Sequence, residues 1–146
     1  LAKLLWNPDG DTEEFINDFL SGYYGRSGQH IRRYFDLLHN RITTDTHIHL
    51  GLRPDDKIFS DQFIREADAI FDRAESVADS DQIRARVEMA RLPLLYLKCQ
   101  RSPAVAKFDG TYDRFRAIVA REGVTHYAES GAAQRNAFHQ KMESAK

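Results

Sequence analysis

Two runs of apolar residues constrain this fold more than any other feature. Phe63, Ala67, Ile70, Ala74 and Val77 recur in steps of four, three, four and three, and Ile83, Val87, Ala90, Leu94 and Leu97 repeat those steps. An α-helix turns every 3.6 residues, so this spacing lines one side of a helix, whereas a strand alternates every second residue. A break at Asp79 and Ser80 separates the runs, and the sequence predicts two long helices paired antiparallel across a short turn. Pro93 falls inside the second run. It removes a backbone donor and crowds the carbonyl four residues back, so a kink is expected there, while the apolar flanks keep the segment helical.

The flanking segments read the same way. Asp11 stands as an N-cap with Glu14 three positions later, and Phe15, Ile16, Phe19, Leu20 and Tyr23 follow at helical spacing until Gly25 closes the helix. A second helix is expected from about Gln29, with Ile31, Tyr34, Phe35 and Leu38 on its apolar face, fading after Arg41. Thr43 to Asp56, with Gly51 and Pro54, reads as a loop holding a short extended piece at His47 to Leu50. The first long helix is expected from Ser60. Thr111 is expected to cap a helix with Tyr112, Phe115, Ile118 and Val119 inward and Gly123 after its end. Ser130 is expected to open a last helix holding Phe138 and Met142. With no strand ladder and no internal repeat, the prediction is an all-α protein. It is a helical bundle of about five or six helices with a long antiparallel hairpin, in a single domain spanning residues 1–146.

Charge narrows the choice of partners. Lys and Arg number 21 against 22 Asp and Glu, and a net charge of -1 supplies no field for steering onto nucleic acid or an anionic membrane. Arg32 and Arg33, and Arg84, Arg86 and Arg91, are interleaved with acidic residues and read as solvated helix faces. Cys99 is the one cysteine and lies in an apolar helical stretch, where a buried, inert thiol is expected. No apolar run approaches the roughly 20 residues that span a bilayer. The chain opens at Leu1 without a methionine and runs at once into apolar residues up to Trp6, as an excised piece of a longer protein would.

Patterns that carry chemistry fail one by one. His47 and His49 would point to one side of an extended segment, as a metal pair requires, but two ligands are not a site, and loop histidines in solvent or in local hydrogen bonds explain them as well. Asp9, Gly10, Asp11, Thr12 and Glu13 begin like a calcium loop, yet Glu14 occupies the glycine position and Leu20 that of the closing glutamate. No zinc-protease, nucleophile-elbow, phosphate-loop or paired-cysteine motif is present, and no cofactor is expected. Trp6, Tyr23 and Tyr24 are the aromatic residues nearest to glycine and proline punctuation, and flat apolar rings match the faces of pyranose sugars. Packing competes with that reading: Trp6 precedes a helix and Tyr23 continues its apolar face, which leaves Tyr24 as the expected exposed ring.

The strings Lys3-Leu4-Leu5-Trp6-Asn7-Pro8 and Phe19-Leu20 with Gly22-Tyr23-Tyr24-Gly25, together with Tyr34 and Arg91-Leu92-Pro93-Leu94, resemble the bacterial family called domain of unknown function 4838. Where that family often has two alanines after its Tyr-Gly turn, this chain has Arg26, Ser27 and Gly28. Members look like α-glucuronidase-type glycoside hydrolases in which a barrel is followed by a helical C-terminal region. The resemblance implies a non-catalytic helical domain that packs on an upstream catalytic barrel, contacts a polysaccharide or oligosaccharide, or forms a homodimer. It also implies an extracellular or periplasmic location, with acid and base residing upstream. The alternatives are a stand-alone protein-interaction module and a metal-binding protein using His47 and His49.

Overall fold

The computed structural model describes residues 5–7, 9–44, 46, 53–127 and 131–145. Its α-helices are α1 (Thr12–Tyr24), α2 (Gly28–His39), α3 (Asp61–Ser76), α4 (Asp81–Arg101), α5 (Pro103–Phe108), α6 (Thr111–Glu122) and α7 (Ala132–Ser144). Short 3-10 turns occupy Gly25–Ser27 and Lys57–Phe59, and no strand occurs among the described residues. All but α5 have at least 12 residues, which gives the expected all-α bundle with six substantial helices. The sequence pattern gave no sign of α5.

Side-chain caps fix the starts of α1, α3 and α4. The Asp11 carboxylate accepts the Glu13 and Glu14 amides at 2.8 and 3.4 Å, and Gly25 ends α1 with a φ of 53°. The hydroxyls of Ser60 and Ser80 accept from the amides of Phe63 and Ile83 at 3.2 and 3.1 Å, starting α3 and α4. Thr111 is not the cap of α6: Gly110 takes that place at a φ of 80°, and Asp109 accepts the Thr111 amide at 2.9 Å. The Asp109 carboxylate takes the first free N–H and also engages the Thr111 hydroxyl, so that hydroxyl caps nothing ahead of it.

Residues 77–80 join α3 to α4, and the far ends of the pair meet where Arg101 donates to Asp61 at 2.6 Å and to the Phe59 carbonyl, as an antiparallel hairpin requires. Helix α4 runs unbroken through Pro93, whose ring is exposed. The seam differs in detail from the strict heptad steps. Phe63, Ala67, Phe71 and Ala74 are buried in α3, with Ile70 only half-buried, because a straight helix advances by fours more often than a 3.5-residue repeat allows. The same drift places Arg91 inside, 4% exposed, one turn from Val87 and Leu94, so it is not the solvated residue its charge suggested.

Contacts divide the chain into two compact units: Leu1–Thr46 with Arg65–Val87, and His47–Ile64 with Glu88–Lys146. In the first, Leu20, Ile31, Ala67, Phe71, Ala74 and Val87 are buried, and Tyr34 packs on Phe71 with ring centroids 4.7 Å apart. The buried Ser27 hydroxyl donates to the Ala74 carbonyl at 2.7 Å, satisfying one of the acceptors that the last turn of α3 leaves open. In the second, Phe138 is the hub of an aromatic core, with Tyr96, Phe115 and Tyr127 at 4.8, 5.3 and 5.6 Å. Leu95, Cys99, Ile118 and Met142 complete that core. Burying each large side chain there stabilises by roughly 1.5–3 kcal/mol. Lys107 closes α7 by donating to the Ala145 carbonyl at 2.8 Å.

Candidate functional site

Helix α1 buries only a narrow stripe. Leu20 is its one fully buried residue, so the side chains one step behind it stand open. Phe19 and Tyr23, four apart on that side, stack with centroids 5.3 Å apart and planes 12° from parallel. Tyr24 meets Tyr23 edge-on at 4.9 Å and Phe19 at 6.4 Å. Phe19 is 57% exposed and Tyr23 41%, so the three rings form a ledge at the C-terminal end of α1.

Arg86 of α4 holds this ledge in place. Its guanidinium lies 4.2 Å from the centre of the Tyr23 ring and donates to the Tyr23 carbonyl at 2.7 Å. That carbonyl belongs to the last turn of α1, which has no intrahelical partner for it and no basic residue of its own. Arg86 therefore supplies both the missing donor and the cation favoured at the negative end of the helix. With Phe19 beside it and Arg86 against it, the Tyr23 ring is already engaged, and Phe19 offers the larger free surface.

These positions reverse the expected exposure. Trp6 is 92% exposed and Leu5 78%, while Tyr24 is the more covered of the two tyrosines, its phenol pushed above the usual range chiefly by burial. The physical reason is register: Tyr24 follows Leu20 by one turn and shares its inward side, whereas Tyr23 follows the outward Phe19. Trp6 makes no ring contact with the ledge among the described residues. Phe19 itself was legible only as one more member of an apolar face.

A groove of about 560 Å³ runs along the junction of α1 and α2. It is lined by Asn17 and Ser21 of α1, Arg26 of the 3-10 turn, and Gln29, Arg32 and Arg33 of α2. Arg32 is occupied: Glu13 takes its Nη1 at 2.6 Å and Asp36 its Nε at 2.9 Å. Within α2, the buried His30 imidazole is held below its ordinary range first by burial, then by the positive charges of Arg33 and Arg73.

The second unit contains a constellation that the sequence did not announce. His139 of α7 has Tyr112 Oη at 2.8 Å from Nδ1 and Tyr127 Oη at 3.0 Å from Nε2. A neutral imidazole satisfies both contacts, donating at one nitrogen and accepting at the other. Burial foremost, then Arg116, keeps its affinity for a second proton low, although Glu143 opposes the shift. The arrangement fastens α6, the following connector and α7 together; it lacks a nucleophile. The residues are 27 and 12 positions apart in the chain, so no local pattern could reveal them.

His47 and His49 lie outside the described residues. Among the described residues no group of three His, Cys, Asp or Glu is placed to hold a metal ion. No described helix is long and apolar enough to cross a membrane. Burial pushes the Cys99 thiol up to about 12, as an inert core thiol requires.

The family model described as Domain of unknown function (DUF4838) matches residues 1–36. The similarity thus takes in the ledge rings of α1 and every side chain that lines the groove, and stops within α2. No curated protein and no solved structure matches the chain.

Proposed function

We propose that this chain is a non-catalytic helical accessory domain of a carbohydrate-active protein, and that the Phe19–Tyr23 ledge is its contact for a sugar ring. One observation carries the reading: two stacked aromatic rings, 57% and 41% exposed, are fixed by Arg86 at the end of α1. Exposed apolar rings cost solubility, and a rigid stacked pair presents its area to a ligand with little entropy left to lose. The acid and base of hydrolysis belong to a catalytic barrel elsewhere in the same protein, which the helical domain adjoins.

Titration calorimetry with neutral oligosaccharides of cellulose, xylan and mannan type tests this. Binding that Phe19→Ala weakens roughly tenfold, about 1.4 kcal/mol, supports the ledge. Binding unaffected by Phe19→Ala, or hydrolysis of an aryl glycoside abolished by changing one acidic residue of this chain, refutes the proposal.

A second reading is favoured by Leu5 and Trp6, 78% and 92% exposed next to each other. Such a pair suits a protein interface, whether with the barrel or with a second copy. Sedimentation velocity separates these: concentration-dependent dimers lost in Trp6→Ala support self-association, and a monomer at all concentrations refutes it.

A further inference from the structure

Of the long helices in the second unit, α7 is the most lightly held. Phe138 and Met142 are its fully buried side chains, whereas α6 buries Thr111, Tyr112, Phe115 and Ile118, and α4 buries Leu94, Leu95, Leu97 and Cys99. Lys141 donates from α7 to the Gln100 carbonyl and Lys107 donates to the Ala145 carbonyl, both at the exposed surface, where water competes for each partner. A further tie is His139, whose two ring nitrogens reach Tyr112 of α6 at 2.8 Å and Tyr127 at 3.0 Å.

Both of these contacts suit a neutral imidazole. One phenol donates to the bare nitrogen and the other accepts from the N–H. A proton placed on the bare nitrogen makes both nitrogens donors, so the phenol that donated must turn its hydroxyl round, and a full charge appears beside the buried Tyr112. The surroundings do not compensate that charge. Burial opposes it first; α6 then contributes Arg116, whose guanidinium lies 5.6 Å from the Tyr112 ring centre, while α7 contributes Glu143, which offsets part of the effect, and Arg135. From α4, the Tyr96 ring and the Cys99 thiol face the two tyrosines. We propose that His139 is an acid-released latch: protonation of its ring favours an open state in which α7 has come away from Tyr112 and Tyr127, uncovering the Tyr96 and Phe115 rings on which Phe138 packs. In the released helix the imidazole regains its ordinary value of 6.5, so lowering the pH from about 7.5 to about 5.5 raises the open population by up to about tenfold. The latch is independent of the sugar ledge, since Phe19, Tyr23 and Arg86 belong to the first unit.

Hydrogen exchange of the full chain, followed by NMR at both pH values and corrected for the intrinsic rate at each, tests the latch. Amides of residues 139–143 are expected to be less protected than those of Leu94 to Cys99 at either pH, as a separate opening requires, and to lose roughly three- to tenfold protection at the lower one. His139→Gln keeps a donor and an acceptor but takes up no proton, so its α7 protection is expected to be level across the two values. The imidazole resonances of the parent give a readout that needs no variant: His139 is expected to titrate below 6.5. Protection of α7 equal to that of α4 at both pH values means a helix that opens only with its whole unit, and overturns the proposal. Parent α7 protection that stays level with pH, a His139→Gln variant that keeps the parent's pH dependence, or a His139 ring that titrates at or above 6.5 overturns it as well.

Discussion

Gly22 and Gly28 receive the same substitution and should respond in opposite directions. At Gly22, in α1, a Cβ meets nothing within 4 Å, and alanine there gains only helix propensity, roughly 0.5–1 kcal/mol. At Gly28 the backbone is ordinary helix, φ -55°, so strain in the dihedral is not the issue. The obstacle is α1 itself: the new Cβ falls 2.5 Å from the Leu20 oxygen and 2.8 Å from its carbonyl carbon. Ordinary contact begins at 3.4 Å, so the oxygen must retreat by 0.9 Å (3.4 minus 2.5). A backbone carbonyl inside a helix cannot swing aside as a side chain can, and the α1–α2 contact has to open. Overpacking of this kind costs about 1–3 kcal/mol, against about 0.4–1 kcal/mol recovered from a stiffer unfolded chain. The net loss spans about 0–2.6 kcal/mol and centres on about 1–2 kcal/mol. At roughly 3 °C per kcal/mol for a chain of this size, Gly28→Ala should melt about 3–6 °C below the parent and Gly22→Ala about 1–3 °C above it. Thermal unfolding followed by circular dichroism reads both. A Gly28→Ala variant that melts at or above the parent refutes the close approach of α1 and α2, and a Gly22→Ala that melts lower refutes the open surface beside α1.

Three further outcomes follow from individual groups. His30 and His139 are both held below their ordinary value of 6.5, so the unfolded chain takes up protons first as pH falls. Stability is complete above about pH 6.5 and declines as pH drops through that value toward the folded values; urea midpoints should fall between about pH 7.5 and about pH 5.5, and a flat profile in that window contradicts the buried placement of both imidazoles. Cys99, buried and with its thiol raised to about 12, should resist an aromatic disulfide reagent at neutral pH until urea unfolds the chain; prompt native-state labelling would place it at the surface. Phe19→Ala should cost no more than about 0.5–1.5 kcal/mol, the worth of one aromatic pair, because the ring is already more than half exposed; a loss of 3 kcal/mol or more, as for a buried Phe, would make the ledge part of the core.

What the sequence disclosed and what it hid divide along the range of the interactions. Helix starts at Asp11, Ser60 and Ser80 were readable because a cap acts over three residues. Gly25 and Gly123 were readable as stops because their positive φ is a local demand. The long seam was readable from its period, but its exact members were not: Ile70 yielded to Phe71 and Ala90 to Arg91, since a one-residue drift within the apolar stripe leaves the composition of the pattern unchanged. Arg86 and Arg91 looked alike as charged residues of one helix. One is partly covered against Tyr23, the other 4% exposed, and only the tertiary partner decides between them. The His139 bridge escaped because its partners are brought together by the fold.

The placement of Tyr23 and Tyr24 is the sharpest case, because the two are adjacent and the expectation had them reversed. A helix of 13 residues docked through a stripe as narrow as Leu20 has two further sides left over. On α1 one carries Phe19 and Tyr23, the other Asn17 and Ser21, and all four side chains stay exposed. If α1 served packing alone, the cheaper arrangement would bury its aromatic residues and expose Leu20, because aromatic side chains bring the larger apolar area. Instead Leu20 is the one fully buried residue of α1, with Phe15, Ile16 and Tyr24 half-buried, and a guanidinium from α4 is committed to fixing an exposed ring. An arginine in that position stabilises the protein only modestly at the surface, yet it removes the rotational freedom of Tyr23 before any ligand arrives. Under the proposed function, that ordering of an exposed ring in advance is what would suit the ledge to a ligand.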